Sequence, residues 1–193
     1  GVQVYCHPDI LQTRYAVRDG KAKSIGIPDA ARRALQGLPP EQVHEIGGAL
    51  MLSENVGIAA AIPRLTDYED TGGPFYLDPQ GLTPDAIEDD LALWIRTDAG
   101  VVVCLGCAHA GPISTLMHIR DLTRGARIRA VVGGFHLMDA SRERVERTID
   151  ALLDLDPDLV VPCHCTGTKN SGPFREALGE RMREGAAGLV LQF

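Results

Sequence analysis

Three of the six histidines in this chain stand where chemistry could be assembled from distant segments. His109 follows the apolar run Val101-Val102-Val103-Cys104-Leu105, His136 follows the β-branched run Ile128 to Val132, and His164 follows Leu159-Val160-Val161. Neutral imidazole is a good transition-metal donor near neutral pH, and three such groups in one crevice would suit zinc, with manganese or iron as alternatives. The helix expected to open at Gly111 and Pro112 points free N–H groups at the same edge, a position suited to an anion such as phosphate.

The elements needed to bring these residues together are legible in the second half of the chain. Leu91 to Ile95 and Val101 to Leu105 flank Asp98-Ala99-Gly100, which reads as a β-hairpin with a three-residue loop. Pro112 to Thr123 reads as an amphipathic helix, Ile128 to Val132 as a strand, and the stretch after Ser141 as a helix capped by that serine, with Val145, Ile149, Leu152 and Leu153 on its apolar face. Leu159 to Val161 reads as a buried strand, Phe174 to Arg183 as a helix and Gly188 to Phe193 as a final strand. Alternation of this kind implies an α/β fold with parallel pairing, in which the carboxyl ends of the strands share one edge where ligands bind. In the first half, Val2 to Cys6 reads as a strand and Pro28 to Leu35 as a short helix. Val43 to Asp90 reads as short strands joined by long loops.

A chain of 193 residues with 45% hydrophobic content is expected to form one domain, residues 1–193. Its net charge of -7, with no basic run, argues against nucleic acid as a partner. The apolar runs are too short to cross a bilayer, and the odd number of cysteines, five, reads as reduced thiols in a cytoplasmic protein acting on a small molecule.

Five ordered segments resemble the metallo-β-lactamase superfamily, and more narrowly its dihydropterin-forming synthase branch and the metal-dependent hydrolases related to it. They are Ile62-Pro63-Arg64 with Glu69 beyond, Asp89-Asp90-Leu91-Ala92-Leu93, Gly106-Cys107-Ala108-His109-Ala110-Gly111, Gly133-Gly134-Phe135-His136-Leu137 and His164-Cys165-Thr166-Gly167. The resemblance implies part of a four-layer αβ/βα sandwich with one or two metal ions between its sheets. It implies His109 and His164 as metal ligands and His136 as a proton-transfer or substrate-orienting group, with direct ligation as the second role. Gly111 and Thr166 are assigned to substrate binding. Two departures stand out: the superfamily's H-x-H-x-D-H motif is absent, and Ala59-Ala60-Ala61 occupies the place where the family has Thr-Gly-Glu. The motif is therefore expected upstream of Gly1, in a missing N-terminal half.

Plainer readings stand beside these. Histidines at helix starts also serve as hydrogen-bond partners of backbone, and His7, His44 and His118 read as structural. Cys104, Cys107, Cys163 and Cys165 with His164 would make a structural zinc site, although Cys104 in an apolar strand reads more simply as a small buried hydrophobe. Asp89 and Asp90 are either catalytic carboxylates or a solvated loop. At the level of the whole protein, the leading expectation is a hydrolase or synthase-type transferase acting on an anionic or phosphorylated small molecule. The alternatives are a scaffold that has lost its site, a half that pairs with another chain, or a homo-oligomer.

Overall fold

The computed structural model describes residues 1–193. The chain begins with β1 (Val4–Cys6), β2 (Tyr15–Arg18), β3 (Lys21–Ser24), the short helix α1 (Asp29–Gln36), β4 (Val43–Glu45), β5 (Leu50–Met51), β6 (Val56–Ala59) and β7 (Phe75–Tyr76). It continues with β8 (Ala92–Thr97), β9 (Gly100–Leu105), α2 (Pro112–Leu122), β10 (Ile128–Gly134), α3 (Arg142–Leu155), β11 (Leu159–Cys163) and α4 (Ser171–Leu178). Six strands form the main sheet in the order β11-β10-β9-β8-β6-β5, and two small sheets, β1-β4 and β3-β2-β7, stand beside it.

The crossings from β9 to β10 and from β10 to β11 are parallel, each through a helix, as the apolar alternation implies. One face of the sheet is sealed by α2, α3 and α4. Ala92, Trp94, Val101, Val103, Val131 and Val160 from the strands meet Ile113, Leu116, Ile119, Val145, Leu152 and Phe174 from the helices in a single dry core. A bulge at Arg129, between the register pairs of Ile128 and Ala130, keeps both Ile128 and Val131 in that core. One sheet and one helix cover amount to two layers of the four-layer sandwich.

The site follows from strand direction. β9, β10 and β11 all end at one edge, and β8, antiparallel to β9, begins there, because Ala92 pairs with Leu105. β6 ends there too, since Ala59 pairs with Ala92. Five separate segments are thus delivered to one place: the turns after β9, β10 and β11, the Asp89-Asp90 approach to β8, and the long loop after β6.

The structure departs from the sequence reading in three places. The helix expected over Phe174 to Arg183 ends at Leu178, where Gly179 takes φ +56° and a 3-10 turn follows. The hairpin loop is two residues, Asp98-Ala99, because Thr97 pairs with Gly100, whose φ of 126° glycine tolerates. Gly188 to Phe193 is not a strand: it joins no sheet, and Val190 and Phe193 stay largely solvent-exposed although their pattern is β-like. No helix is long and apolar enough to cross a membrane.

Candidate metal centre

The turn after β9 is held from several sides at the shared edge. Ala108 takes φ +50°, which curls the chain back so that Cys107 and His109 face the same space. Asp90 accepts the Ala110 N–H at 3.0 Å, and Arg64 donates through Nη1 to the His109 carbonyl at 2.7 Å and through Nη2 to the Ala86 carbonyl at 2.6 Å. Burial pushes the Asp90 carboxyl up, against the pull of the Ala110 N–H and of His109. Asp90 is thereby a positioning residue. Its neighbour Asp89 turns away to Arg14, which also holds Asp85, at 2.5 and 2.7 Å, and ties the β2 sheet to the start of β8.

Behind this turn, the expected anion position at the start of α2 is filled from within the chain. The buried carboxylate of Glu69 accepts the N–H groups of Ile113 and Ser114, both at 2.8 Å, the Ser114 hydroxyl at 2.7 Å and the Thr66 hydroxyl at 2.9 Å. Gly111, at φ +102°, lies against that carboxyl, and a Cβ there would collide with it. Gly111 therefore makes room for an internal cap. Thr166 is buried, and its hydroxyl accepts the Phe135 N–H at 3.1 Å, joining the turn after β11 to the turn after β10.

The three histidines gather around one sulfur that the sequence reading had placed only in a minor alternative. Cys107, His164 and Cys165 offer donor atoms that all lie within 4.8 Å of one another. Beside them stand His109 and His136, whose rings lie 4.0 Å apart between centroids at 46° and which both act to lower the Cys107 pKa. His136 and His164 both take left-handed backbone conformations, φ +48° and +50°, a local cost that a fold carries where side chains must be aimed. Cys104 and Cys163 lie outside the trio, and burial pushes both of their thiols up.

Electrostatics point to a thiolate at the hub. The neighbouring side chains of Cys165, His109 and His136 drive the Cys107 thiol far below its ordinary range, and Cys107, with burial, drives Cys165 up. The Cys165 thiol itself donates to the Cys107 carbonyl at 3.5 Å. Burial works to lower the His109 pKa, but Cys107, the Thr71 carbonyl and Asp90 together raise it. The Thr71 carbonyl sits 3.0 Å from His109 Nδ1 and can only accept, so Nδ1 carries a proton and the lone pair of the neutral ring falls on Nε2. A histidine held by a backbone carbonyl in this way is oriented as metal-ligating histidines are. His136 Nδ1 is buried without a partner. Phe75 closes the side, with its ring 5.6 Å from His109 and 6.1 Å from His136. Two thiols and imidazole nitrogens with one oriented lone pair form a donor set suited to zinc or a similar borderline-soft cation.

No protein-family model matches the chain. Among curated proteins it is 28% identical, over 203 aligned residues, to the 7,8-dihydropterin-6-methyl-4-(β-D-ribofuranosyl)-aminobenzene-5'-phosphate synthase of Methanocaldococcus jannaschii, covering all of this chain and 66% of the synthase. It is 26% identical over 167 residues to an uncharacterised protein of the same archaeon, covering 86% of this chain and 59% of that protein. The chain thus spans roughly two thirds or less of the length of the curated relatives it matches. Among solved structures it superposes on a metal-dependent hydrolase of the β-lactamase superfamily with a TM-score of 0.83 at 27% identity, covering all of this chain and 72% of the hydrolase. The fold is that of the β-lactamase superfamily. Cys107 and Cys165, which the sequence reading named only within an alternative structural zinc site, are the thiols of the donor trio. Their signal was position alone: each lies one or two residues from a histidine at a strand end.

The close fit around the imidazoles gives a direct prediction. Gly72 has φ +78° and lies against His136, so the Gly72→Ala Cβ would collide with that ring. Gly72→Ala is expected to displace His136 and lower turnover by about 10²-fold, the effect of misplacing a group by roughly 1 Å. Steady-state kinetics with metal content measured in parallel would check this, since the donor trio does not include His136.

Proposed function

We propose that this chain is the metal-binding part of an enzyme, a hydrolase or a synthase-type transferase, that acts on an anionic small molecule through a zinc-class ion. The observation that carries the reading is the convergence of three strand-end turns, which brings donor atoms of Cys107, His164 and Cys165 within 4.8 Å of one another and stands the rings of His109 and His136 4.0 Å apart. Cys107, His164 and Cys165 would hold the ion, with His109 Nε2 as the further donor. When bound, such an ion supplies Lewis-acid polarisation of a substrate oxygen or of water.

The remaining steps belong to the chain itself. His136 Nδ1, buried and unpartnered, is placed to take or give a proton, and its left-handed backbone and the Gly72 contact fix where it does so. Phe75 limits water at the two imidazoles, and Asp90, Arg64 and the Thr71 carbonyl keep His109 in one orientation. The activities of the relatives, a synthase that makes a phosphate ester and a metal-dependent hydrolase, support metal chemistry on an anionic substrate.

Elemental analysis of the purified chain tests this, joined to hydrolysis of an activated phosphodiester. Stoichiometric zinc is expected, with loss of metal and of turnover in His109→Ala and His164→Ala. Absence of stoichiometric metal together with unchanged activity in both variants would end the reading. The two thiols in the donor trio also favour a second reading, a closed structural ion. That reading predicts retained metal, and a melting temperature that falls on chelation, in a protein whose turnover is indifferent to His136→Ala.

A further inference from the structure

Cys107 and Cys165 are 58 residues apart in the chain, yet the turn after β10 holds the backbone of both. The Gly134 N–H donates to the Gly106 carbonyl at 3.0 Å, which fixes the residue before Cys107. The N–H groups of Leu137 and Met138 both donate to the Cys165 carbonyl at 3.1 Å, and the Phe135 N–H donates to the Thr166 hydroxyl beside it. Two distant thiols are thereby registered against one another through a third segment. Their sulfurs lie within 4.8 Å of each other, and the Cys165 thiol reaches the Cys107 carbonyl. Gly134 leaves the room for this approach: a Cβ there would lie 2.6 Å from the Cys165 sulfur and 3.4 Å from the Cys107 Cα. A disulfide needs about 2.05 Å between sulfurs, and rotation about the Cα–Cβ bonds moves the sulfurs while the backbone stays in place.

The other three cysteines do not share this arrangement, although all five are free thiols. Cys104 and Cys163 fall outside the trio, on β9 and β11. β10 runs between those two strands, so their Cα atoms are two strand spacings apart, roughly 9.6 Å, beyond the limit of about 7 Å for a disulfide. Cys6 belongs to the separate β1-β4 sheet. Exposure also sets an order between the two members of the pair. Cys107 is half-buried, whereas Cys165 is only 9% exposed, so a reagent from solution meets Cys107 first. Cys165 is then the thiol already waiting beside it.

We propose that Cys107 and Cys165 are a disulfide-forming pair, oxidised by a low-molecular-weight disulfide, and that the link displaces the ion. In the first exchange the Cys107 sulfur bonds to one sulfur of the reagent, the reagent's S–S bond breaks and one small thiol leaves. In the second, the Cys165 sulfur attacks the Cys107 sulfur, the mixed disulfide breaks and a second small thiol leaves. Two protein thiols are oxidised, the reagent takes up their two electrons, and the two thiol protons depart on the small thiols. The link itself is independent of the metal reading above, while its consequence for the ion rests on that reading. Thiolate, not disulfide, is the metal ligand, so oxidation withdraws two members of the donor trio and leaves His164 alone of the three. Link and ion exclude one another, which makes the centre a redox-gated one: oxidation empties it and reduction restores it.

The test is incubation of the chelated chain with oxidised glutathione, followed by intact mass and non-reducing peptide mapping. Loss of the mass of two hydrogens is expected, with one cross-link between the Cys107 and Cys165 peptides that dithiothreitol reverses. Cys165→Ser should stop at the mixed disulfide, with one glutathione on Cys107, whereas Cys104→Ser and Cys163→Ser should form the link as wild type does. A wild-type chain that stays reduced, that ends carrying glutathione, or that is cross-linked through another pair of cysteines would overturn the proposal. Free zinc at about ten times its dissociation constant should slow the link about tenfold, because only the metal-free fraction reacts. Each link formed should release one zinc to a chromogenic chelator. Equal rates with and without bound zinc would overturn the exclusion between link and ion. A chain that takes up no zinc but forms the link fails the metal reading and keeps the pair, and stoichiometric zinc in a chain that never links does the reverse.

Discussion

Replacing the Cys107 sulfur by oxygen, in Cys107→Ser, is expected to abolish stoichiometric metal binding and reduce turnover to background. The sulfur links both halves of the site: its donor atom is grouped with those of His164 and Cys165, and His109 and His136 both act on its ionisation. A serine hydroxyl fills nearly the same space but does not ionise near neutral pH and is a poor partner for a soft cation. Loss of a group that merely orients a ligand costs about 10–100-fold in metal affinity, and loss of a central donor should exceed that. The metal-dependent part of stability should go with it, about 2.7 kcal/mol where the ion is present at 100 times its dissociation constant. Cobalt substitution gives the sharpest readout, because a thiolate–cobalt charge-transfer band should be present in wild type and strongly reduced in Cys107→Ser. Cys104→Ser is the matched control: Cys104 sits two residues from the trio's turn but outside it, on the opposite face of β9 from the core-facing Val103. An unchanged band and full metal content in Cys107→Ser would remove that sulfur from the donor set.

The parts of this fold that were legible are those written in short-range pattern. The β-branched runs of β9, β10 and β11 and the apolar stripe of α3 specify strand-helix alternation, and alternation with the usual crossover places three histidines at one edge. What could not be read is how the turns curl. Ala108, His136 and His164 all adopt positive φ, a conformation their residue types do not favour, and it is these turns that set sulfur against imidazole. The thiols were therefore underweighted, though they lay in plain view beside the histidines. The anion position at α2 failed for a different reason. Its free N–H groups were inferred correctly from the helix start, but the carboxylate that occupies them lies 44 residues earlier in the chain, at a distance where sequence gives no register. The burial of Arg144 escaped notice for the same reason: on a helical wheel it belongs with the charged face of α3, yet the loop carrying Asp70 and Tyr68 folds over it and buries it. Gly188 to Phe193 shows the reverse error, a β-like pattern with no partner strand to pair with.

Glu69→Ala is expected to destabilise the protein by about 3 kcal/mol, lowering the melting temperature by roughly 6–12 °C at 2–4 °C per kcal/mol for a domain of this size. Loss of a helix cap alone costs about 1 kcal/mol, and the remainder comes from buried donors left without an acceptor, each at about 1–3 kcal/mol before water or relaxation recovers part of it. Ile113 N–H, Ser114 N–H and the Ser114 hydroxyl all lose their acceptor in one step, in a region where Ile113 and Ser114 are almost fully buried. Glu69→Gln keeps one carbonyl oxygen but turns an amide toward N–H donors, so it should fall between. Gly111 supplies the internal check. In wild type, Gly111→Ala suffers both the collision with the Glu69 carboxyl and the strain of φ +102°. In the Glu69→Ala background the clash with the carboxyl disappears, while a close contact with the residue 69 Cβ at 2.6 Å and the strain remain, so the double variant should be more stable than the sum of the two single losses by about 1 kcal/mol. Strict additivity in denaturant unfolding would mean that the carboxyl and the glycine do not act on one another. The α2 start, and the His109 turn it anchors, would then be held by something other than this cap.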